Sequence, residues 1–210
     1  MPELVTPAFD AATFFAGCQP TLRGDGLVLR PWHERDWPLL LRAYEDPGVR
    51  HWHGRTLDEA EARGWAELRA RQWRTHEAVD WAIVGGDAAA SAGRTATGSA
   101  DAGAVLGRLG IRRFELDQAL GEVAYWVLPE ARGARVATRA LLVLCDWAFG
   151  VTGMHRLELV HSVANAASCR VAERAGFVQE GVKRRELLHA DGWHDTHLHA
   201  RLADDPGPPV

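Results

Sequence analysis

The chain has 210 residues, 24 Lys plus Arg against 28 Asp plus Glu, a formal charge of −4, and is 47% hydrophobic and 25% charged. That length fits one domain of ordinary size, and the apolar fraction supplies a packed core, which excludes a disordered or fibrous chain. The mildly acidic balance gives no general drive toward nucleic acid phosphates. No run approaches the ~18 apolar residues of a membrane span, and Met1-Pro2-Glu3-Leu4 lacks the basic start of a secretion signal. The expectations are therefore no nucleic acid partner, no membrane and a cytoplasmic location. Cys18, Cys145 and Cys169 are odd in number and lack a CxxC spacing, so they imply neither a disulfide framework nor a zinc knot.

Residues 1 to 25 carry Pro2, Pro7, Gly17, Pro20 and Gly24 without a period and read as a loosely attached arm. Residues 26 to 203 read as one domain, and 204 to 210 as a disordered Pro-rich tail. Leu27-Val28-Leu29-Arg30 predicts a strand. Trp37, Leu40, Leu41 and Tyr44 predict an amphipathic helix stopped by Asp46-Pro47-Gly48. Thr56-Leu57-Asp58-Glu59 has the form of a capping box for a second helix running to about His76. Val79, Trp81 and Ile83 alternate as a strand, as do Val105, Leu109 and Ile111. The small residues from 85 to 104 predict a flexible hairpin tip between them.

Glu122 to Leu128 is apolar on both faces, as a central strand covered on two sides requires. From Arg132 the period turns helical as far as Gly150, and Arg156 to Val163 follows as a strand. Asn165 can cap a helix that ends at Gly176, and strands from Phe177 to Leu188 and Trp193 to Leu202 close the chain. The order predicts a mixed α/β sheet in which one crossover helix joins neighbouring central strands, placing a ligand near Leu128 to Thr138. There, Arg132-Gly133-Ala134-Arg135-Val136-Ala137-Thr138 offers backbone N–H groups and a positive helix end to a pyrophosphate. The histidines at 51 and 53 and those at 197 and 199 (with Asp195) form pairs to which the sequence fixes no third ligand, so no metal is expected. Trp52 and Trp193 are candidates to line an acceptor pocket.

This order of elements, that loop and the block Asn165-Ala166-Ala167-Ser168-Cys169-Arg170-Val171-Ala172-Glu173-Arg174-Ala175-Gly176-Phe177 together resemble the GNAT acetyltransferase superfamily, and within it the RimJ/RimL-type N-acetyltransferases. The resemblance runs from about Leu22 to Leu202. It implies an α/β fold with a mixed, mostly antiparallel central sheet, splayed central strands and helices on both faces. It further implies an acetyl-CoA-dependent transfer to a primary amine by direct attack in a ternary complex, with no metal. The pantetheine arm would pair with strand backbone around Val127, residues 132 to 138 would hold the pyrophosphate, and Asn165 would meet the pantetheine.

In the family loop, Arg or Gln is followed by two residues, Gly, one residue, then Gly or Ala. Arg132 and Ala137 fit, whereas Arg135 occupies the central Gly position and must swing clear or contact a CoA phosphate. By the same resemblance Ser168 would protonate the leaving thiolate. For the base, Glu122 and Glu186 both stand open, each acting through water. The acceptor is a protein N-terminus or a small amine, and RimL-like enzymes suggest a homodimer. The alternatives are a non-catalytic acyl-CoA-binding or sensing module with a degenerate phosphate loop, and a detoxifying acetyltransferase acting on an antibiotic or polyamine.

Overall fold

A computed structural model describes residues 14–15, 17–86 and 103–208. Most of the hairpin tip expected at 85 to 104, and much of the N-terminal arm, lie outside the described residues.

Two short strands, β1 (Leu22–Gly24) and β2 (Leu27–Arg30), open the fold. Helix α1 (Trp37–Glu45) ends at Asp46, but Asp46-Pro47 also starts a helix: Asp46 Oδ1 accepts the Val49 N–H at 2.9 Å and caps α2 (Pro47–His53). Pro at the first helical position surrenders an N–H that would have had no partner, so the expected stop signal doubles as a start. The predicted second helix is two. The capping box joins Asp58 to Glu61 rather than Thr56 to Glu59, and starts α3 (Glu59–Arg63); the axis breaks at Gly64 before α4 (Trp65–Arg74).

Next come β3 (Val79–Gly85), β4 (Val105–Glu115) and β5 (Leu120–Val127), then α5 (Val136–Gly150), β6 (Arg156–Ser162), α6 (Ala166–Arg174), β7 (Val178–His189) and β8 (Gly192–Leu202). They form one sheet in the order β1-β2-β3-β4-β5-β6-β8-β7, antiparallel except for β5 and β6, which α5 joins as the crossover. Asn165 caps α6 by accepting the Ser168 N–H, and Gly176, at φ +79°, follows its end in the left-handed conformation that glycine adopts without steric cost.

Alternation in the central strands feeds two cores. Trp81, Ile83, Leu109, Ile111 and Val123 pack with Leu141, Leu144 and Trp147 of α5, while Ala82, Val84, Trp126 and Leu128 pack with Leu40, Tyr44, Val49 and Trp65 of the early helices. Fully buried residues such as Leu141 and Leu144 each contribute about 1.5 to 3 kcal/mol.

The arm is not loose where it is described. Phe14 and Phe15 are buried against Trp73 and Phe114, and indole N–H groups of Trp73 and Trp81 donate to Gly17 O (3.0 Å) and Pro20 O (2.8 Å). The contacts are spread over α4, β3 and β4, so the arm needs no periodicity of its own. The tail expected to be disordered is likewise tied down as far as Pro208: Asp205 Oδ2 accepts the Leu202 N–H at 2.8 Å, and Pro208 lies against Gly176.

Candidate functional site

β5 and β6 pair only from Leu120–Arg156 to Val123–Leu159. Beyond that point β6 continues beside β8 alone, so Ala124 to Val127 part from it and a wedge opens. The wedge belongs to a cavity of about 570 Å³. In it Tyr125 O is bonded to His53 Nε2 at 3.1 Å, and Val127 O accepts from Arg132 Nε at 3.2 Å. In an extended strand the N–H of a residue points the same way as its C=O, so the Tyr125 and Val127 N–H groups face the wedge too.

At one end of the cavity stands the start of α5. No side chain caps it, and its first intrahelical bond runs from Arg139 N to Arg135 O. The N–H groups of Val136, Ala137 and Thr138 are therefore without intrahelical acceptors and, with the positive helix end, form an anion site. Gly133 and Arg135 both adopt positive φ, +84° and +55°. Arg135 thus takes a left-handed backbone conformation, which glycine adopts without steric cost. An L-residue pays about 1 to 2 kcal/mol for that conformation. Arg135→Gly is expected to raise stability by up to about 1 kcal/mol in thermal denaturation, part of the relief being offset by the greater entropy of unfolded glycine. A drop in acetyl-CoA affinity in the same variant would identify the guanidinium as a phosphate ligand.

The charge of the cavity opposes that of the chain. Arg112, Arg132, Arg135, Arg170 and Arg174 line it, and no carboxylate does among the described residues. Arg112 is paired with Glu122 and Arg132 with Asp46, whereas Arg135, Arg170 and Arg174 form no ion pair among the described residues. An anionic ligand with several phosphates fits this lining; a cationic one does not.

At the middle of the wedge, Asn165 Oδ1 holds the Ser168 N–H at 3.1 Å, and Ser168 Oγ lies 2.8 Å from Tyr125 Oη. Burial pushes the Tyr125 hydroxyl up to about 12, so it stays protonated. The two hydroxyls form a neutral donor pair facing the cavity.

Of the residues predicted from sequence, Val127, Arg132, Gly133, Arg135, Val136, Ala137, Thr138, Asn165 and Ser168 are brought to this one cavity, and Ala134 is not among its lining. Neither carboxylate considered as a base opens onto it. Glu122, 5% exposed, is engaged by Arg112 Nε at 2.8 Å and by Arg113 at 3.2 Å. Glu186 accepts from Thr196 Oγ1 and from Lys183 Nζ at 2.9 Å; despite partial burial, these bonds and the Lys183 charge hold its carboxyl below the usual range. Trp52 lines the cavity, whereas Trp193 is 60% exposed and does not.

Sequence reasoning missed Tyr125, His53 and His189. Tyr125 lies within the segment expected to be apolar on both faces, and its hydroxyl meets Ser168 where β5 parts from β6. His53 and Trp52 arrive on α2, the helix hidden behind the Asp46-Pro47 stop. A further chain runs from the cavity to the surface: Ser162 Oγ to His194 Nδ1 at 2.7 Å, and His194 Nε2 to Asp191 Oδ1 at 3.0 Å.

Burial pushes the His53 imidazole down from about 6.5 to about 4, with the Arg108, Arg112 and Arg55 charges acting in the same direction and the bond to Tyr125 O opposing them. The folded protein keeps His53 neutral where the unfolded chain protonates it. Its contribution to stability is therefore intact above pH 6.5 and is lost as pH falls from there toward 4. Urea denaturation at pH 7 and pH 5 is expected to show this decline, and His53→Gln is expected to reduce it.

Comparison with known proteins agrees with this geometry. The family model described as "Acetyltransferase (GNAT) domain" matches residues 26–178. The ribosomal-protein-serine acetyltransferase of Escherichia coli (strain K12) is 30% identical over 101 residues, covering 48% of this chain and 56% of that one. The uncharacterized N-acetyltransferase YoaA of Bacillus subtilis (strain 168) is 21% identical over 183 residues, 86% of this chain and 96% of its own. At about 30% identity the alignments span about half the length of the curated relatives. Among solved structures, that of RimL, a ribosomal L7/L12 alpha-N-protein acetyltransferase in complex with coenzyme A, superposes with a TM-score of 0.73 at 18% identity, over 87% of this chain and 98% of that one. At that identity the likeness concerns the fold, and no helix among the described residues is long and apolar enough to cross a membrane. With the family model matched over 153 consecutive residues, the chain belongs to the GNAT acetyltransferase family.

Proposed function

We propose that the protein is an N-acetyltransferase that moves the acetyl group of acetyl-CoA to a primary amine, and that the amine is an α-amine such as a protein N-terminus. The observation that carries the reading is the wedge itself: splayed strands with free amide edges, an uncapped helix N-terminus at one end, unpaired arginines around it and a Ser–Tyr hydroxyl pair at its middle. Acetyl-CoA supplies a thioester-activated acetyl group. The α5 N–H groups with Arg135, Arg170 and Arg174 hold its phosphates, Asn165 meets its pantetheine arm, and the N–H groups of Tyr125 and Val127 stabilise charge on the carbonyl oxygen. Ser168, backed by Tyr125, returns a proton to the thiolate.

The lining also bears on the acceptor. A lysine or polyamine, with a pKa near ~10.4, arrives as a cation and needs a carboxylate to receive it, while an α-amine near ~8 is partly neutral at physiological pH. A cavity with arginines and, among the described residues, no carboxylate favours the second. The Ser162–His194–Asp191 chain offers its proton a route to solvent.

The name of the Escherichia coli relative, a ribosomal-protein-serine acetyltransferase, supports a protein as acceptor. The test is calorimetric titration with acetyl-CoA beside desulfo-CoA, followed by thiol release with peptides bearing a free N-terminus and with the same peptides blocked at that amine but carrying lysine. Micromolar binding and turnover of the free-N-terminus peptides alone is the expected result. Binding without turnover on any amine would favour the acyl-CoA-sensing module, turnover on lysine or polyamines would overturn the α-amine assignment, and no binding would overturn both.

A further inference from the structure

His161 on β6, His197 and His199 on β8 and Cys169 on α6 place four ligand atoms within 4.8 Å of one another. The two strands supply three of them by register: His161 sits directly opposite His197, and His199 lies two residues further along the same face of β8. The ring centroids are 5.1 to 5.8 Å apart. Cys169 comes down from the helix above, with Sγ 3.9 Å from His199 Nε2.

The cluster is buried and chemically unfinished. His199 is fully buried and His161 is 5% exposed. His161 Nδ1 is bonded to Ser162 O at 2.8 Å, which fixes the proton on that nitrogen and leaves the lone pair of Nε2 facing inward. That Nε2 has no hydrogen-bond partner among the described residues, and neither has His197 Nδ1. Buried ring nitrogens are normally paired, and two unpaired ones beside the Cys169 thiol and His199 Nε2 call for something to bind them. A ring N–H given to a backbone carbonyl while the other nitrogen points at its neighbours is the outer arrangement of a metal-bound imidazole.

From this geometry we propose that His161, Cys169, His197 and His199 form a closed four-coordinate site for Zn²⁺. Three imidazoles and one thiolate suit that ion, and bond lengths of ~2.0 to 2.3 Å around a tetrahedral centre require ligand atoms roughly 3.3 to 3.6 Å apart, within reach of small side-chain rotations from the separations seen. Binding forms one Zn–S and three Zn–N bonds and releases the Cys169 thiol proton. Glu173, one helical turn on with Oε1 3.5 Å from Cys169 Sγ, is placed to receive it. Four protein ligands leave no open position, so the ion ties α6 to the sheet and fixes Asn165 and Ser168 from behind. It takes no part in the transfer, and the site stands whether or not the cavity binds acetyl-CoA.

The test uses the full chain without a histidine tag, stripped with chelator and then titrated with Zn²⁺, and with Co²⁺ as a spectroscopic probe. Expected are one equivalent of tightly bound Zn²⁺, a rise in Tm of roughly 5 to 10 °C at free Zn²⁺ a hundredfold above Kd, and for Co²⁺ the intense visible bands of a tetrahedral site with a thiolate charge-transfer band. Cys169→Ser should abolish the charge-transfer band, and His197→Gln should weaken Kd by at least about tenfold; both side chains are only partly buried, and circular dichroism checks that the variants fold. No uptake by the unaltered protein would overturn the proposal, as would uptake and Tm shifts left unchanged by both substitutions.

Discussion

Ser168→Ala is expected to lower kcat by about 10- to 100-fold while leaving the affinity for acetyl-CoA within about twofold. The substitution removes the hydroxyl facing the wedge and nothing that holds the wedge open. The backbone N–H of residue 168 still meets Asn165 Oδ1, so α6 keeps its cap, and the α5 N–H groups that hold the phosphates are untouched. A positioned proton donor contributes ~10² to 10⁴ in rate. The lower range applies here because Tyr125 Oη, 2.8 Å from Ser168 Oγ, remains as a second donor. Tyr125→Phe should be similarly mild, and the double variant should lose more than either, up to about 10³-fold. Steady-state kinetics with a peptide acceptor and calorimetry with acetyl-CoA measure both quantities. Unchanged turnover in the double variant would remove the hydroxyl pair from the mechanism.

The pair also shows what the sequence makes legible. Asn165, Ser168 and Gly176 were placed from sequence because a cap, a first-turn residue and a C′ glycine are local, lying within one helix and its two ends. The central strands were legible for the same reason, from the alternation of Val79, Trp81 and Ile83 and of Leu109 and Ile111, and from the apolar run after Glu122. Tyr125 was not legible as a partner of Ser168, because the two are 43 positions apart and meet only where β5 parts from β6. The helix α2 was hidden by a real ambiguity: Asp-Pro after an apolar stripe satisfies the rules for ending one helix and for beginning another. The cost of that ambiguity was concentrated at the site, since α2 carries Trp52 and His53 into the cavity.

Charge misled in a different way. A net charge of −4 is a sum over the surface and does not describe the cavity, which is lined by five arginines without a carboxylate among the described residues. Glu122 stood open as a base, and a buried carboxylate is costly unless it is paired or functional. The pairing branch is visible in the ion pairs to Arg112 and Arg113, which the sequence conceals because a bulge in β4 between Ile111 and Arg113 brings both arginines to the same carboxylate. The four groups of the proposed zinc site span two strands and a helix, and no single element contains more than two of them.

The largest loss of stability is expected at Asp80, which no sequence pattern marks. Asp80→Ala should cost about 3 to 5 kcal/mol and lower Tm by roughly 6 to 20 °C in a domain of this size. Asp80 is 2% exposed and sits on the sheet face covered by the early helices. Its Oδ2 accepts from Arg108 Nε at 2.6 Å, its Oδ1 from the Trp32 indole at 2.7 Å, and Arg69 lies 3.8 Å away. Removing the carboxylate strands the Arg108 guanidinium, itself in a residue only 8% exposed, and orphans the indole N–H. The penalty comes from those uncompensated groups rather than from loss of an attraction, since charges in a dry interior gain little net energy from pairing. The double variant Asp80→Ala/Arg108→Met is therefore expected to recover a large part of the loss, giving a coupling energy of about 2 kcal/mol or more, within the range for groups in direct contact. Urea denaturation of the four species measures it. Independent, additive losses would show that each side chain acts by packing alone. A single-variant loss below about 1 kcal/mol would mean that water reaches Arg108 from the side of His53, whose imidazole the Arg108 charge already helps to keep neutral.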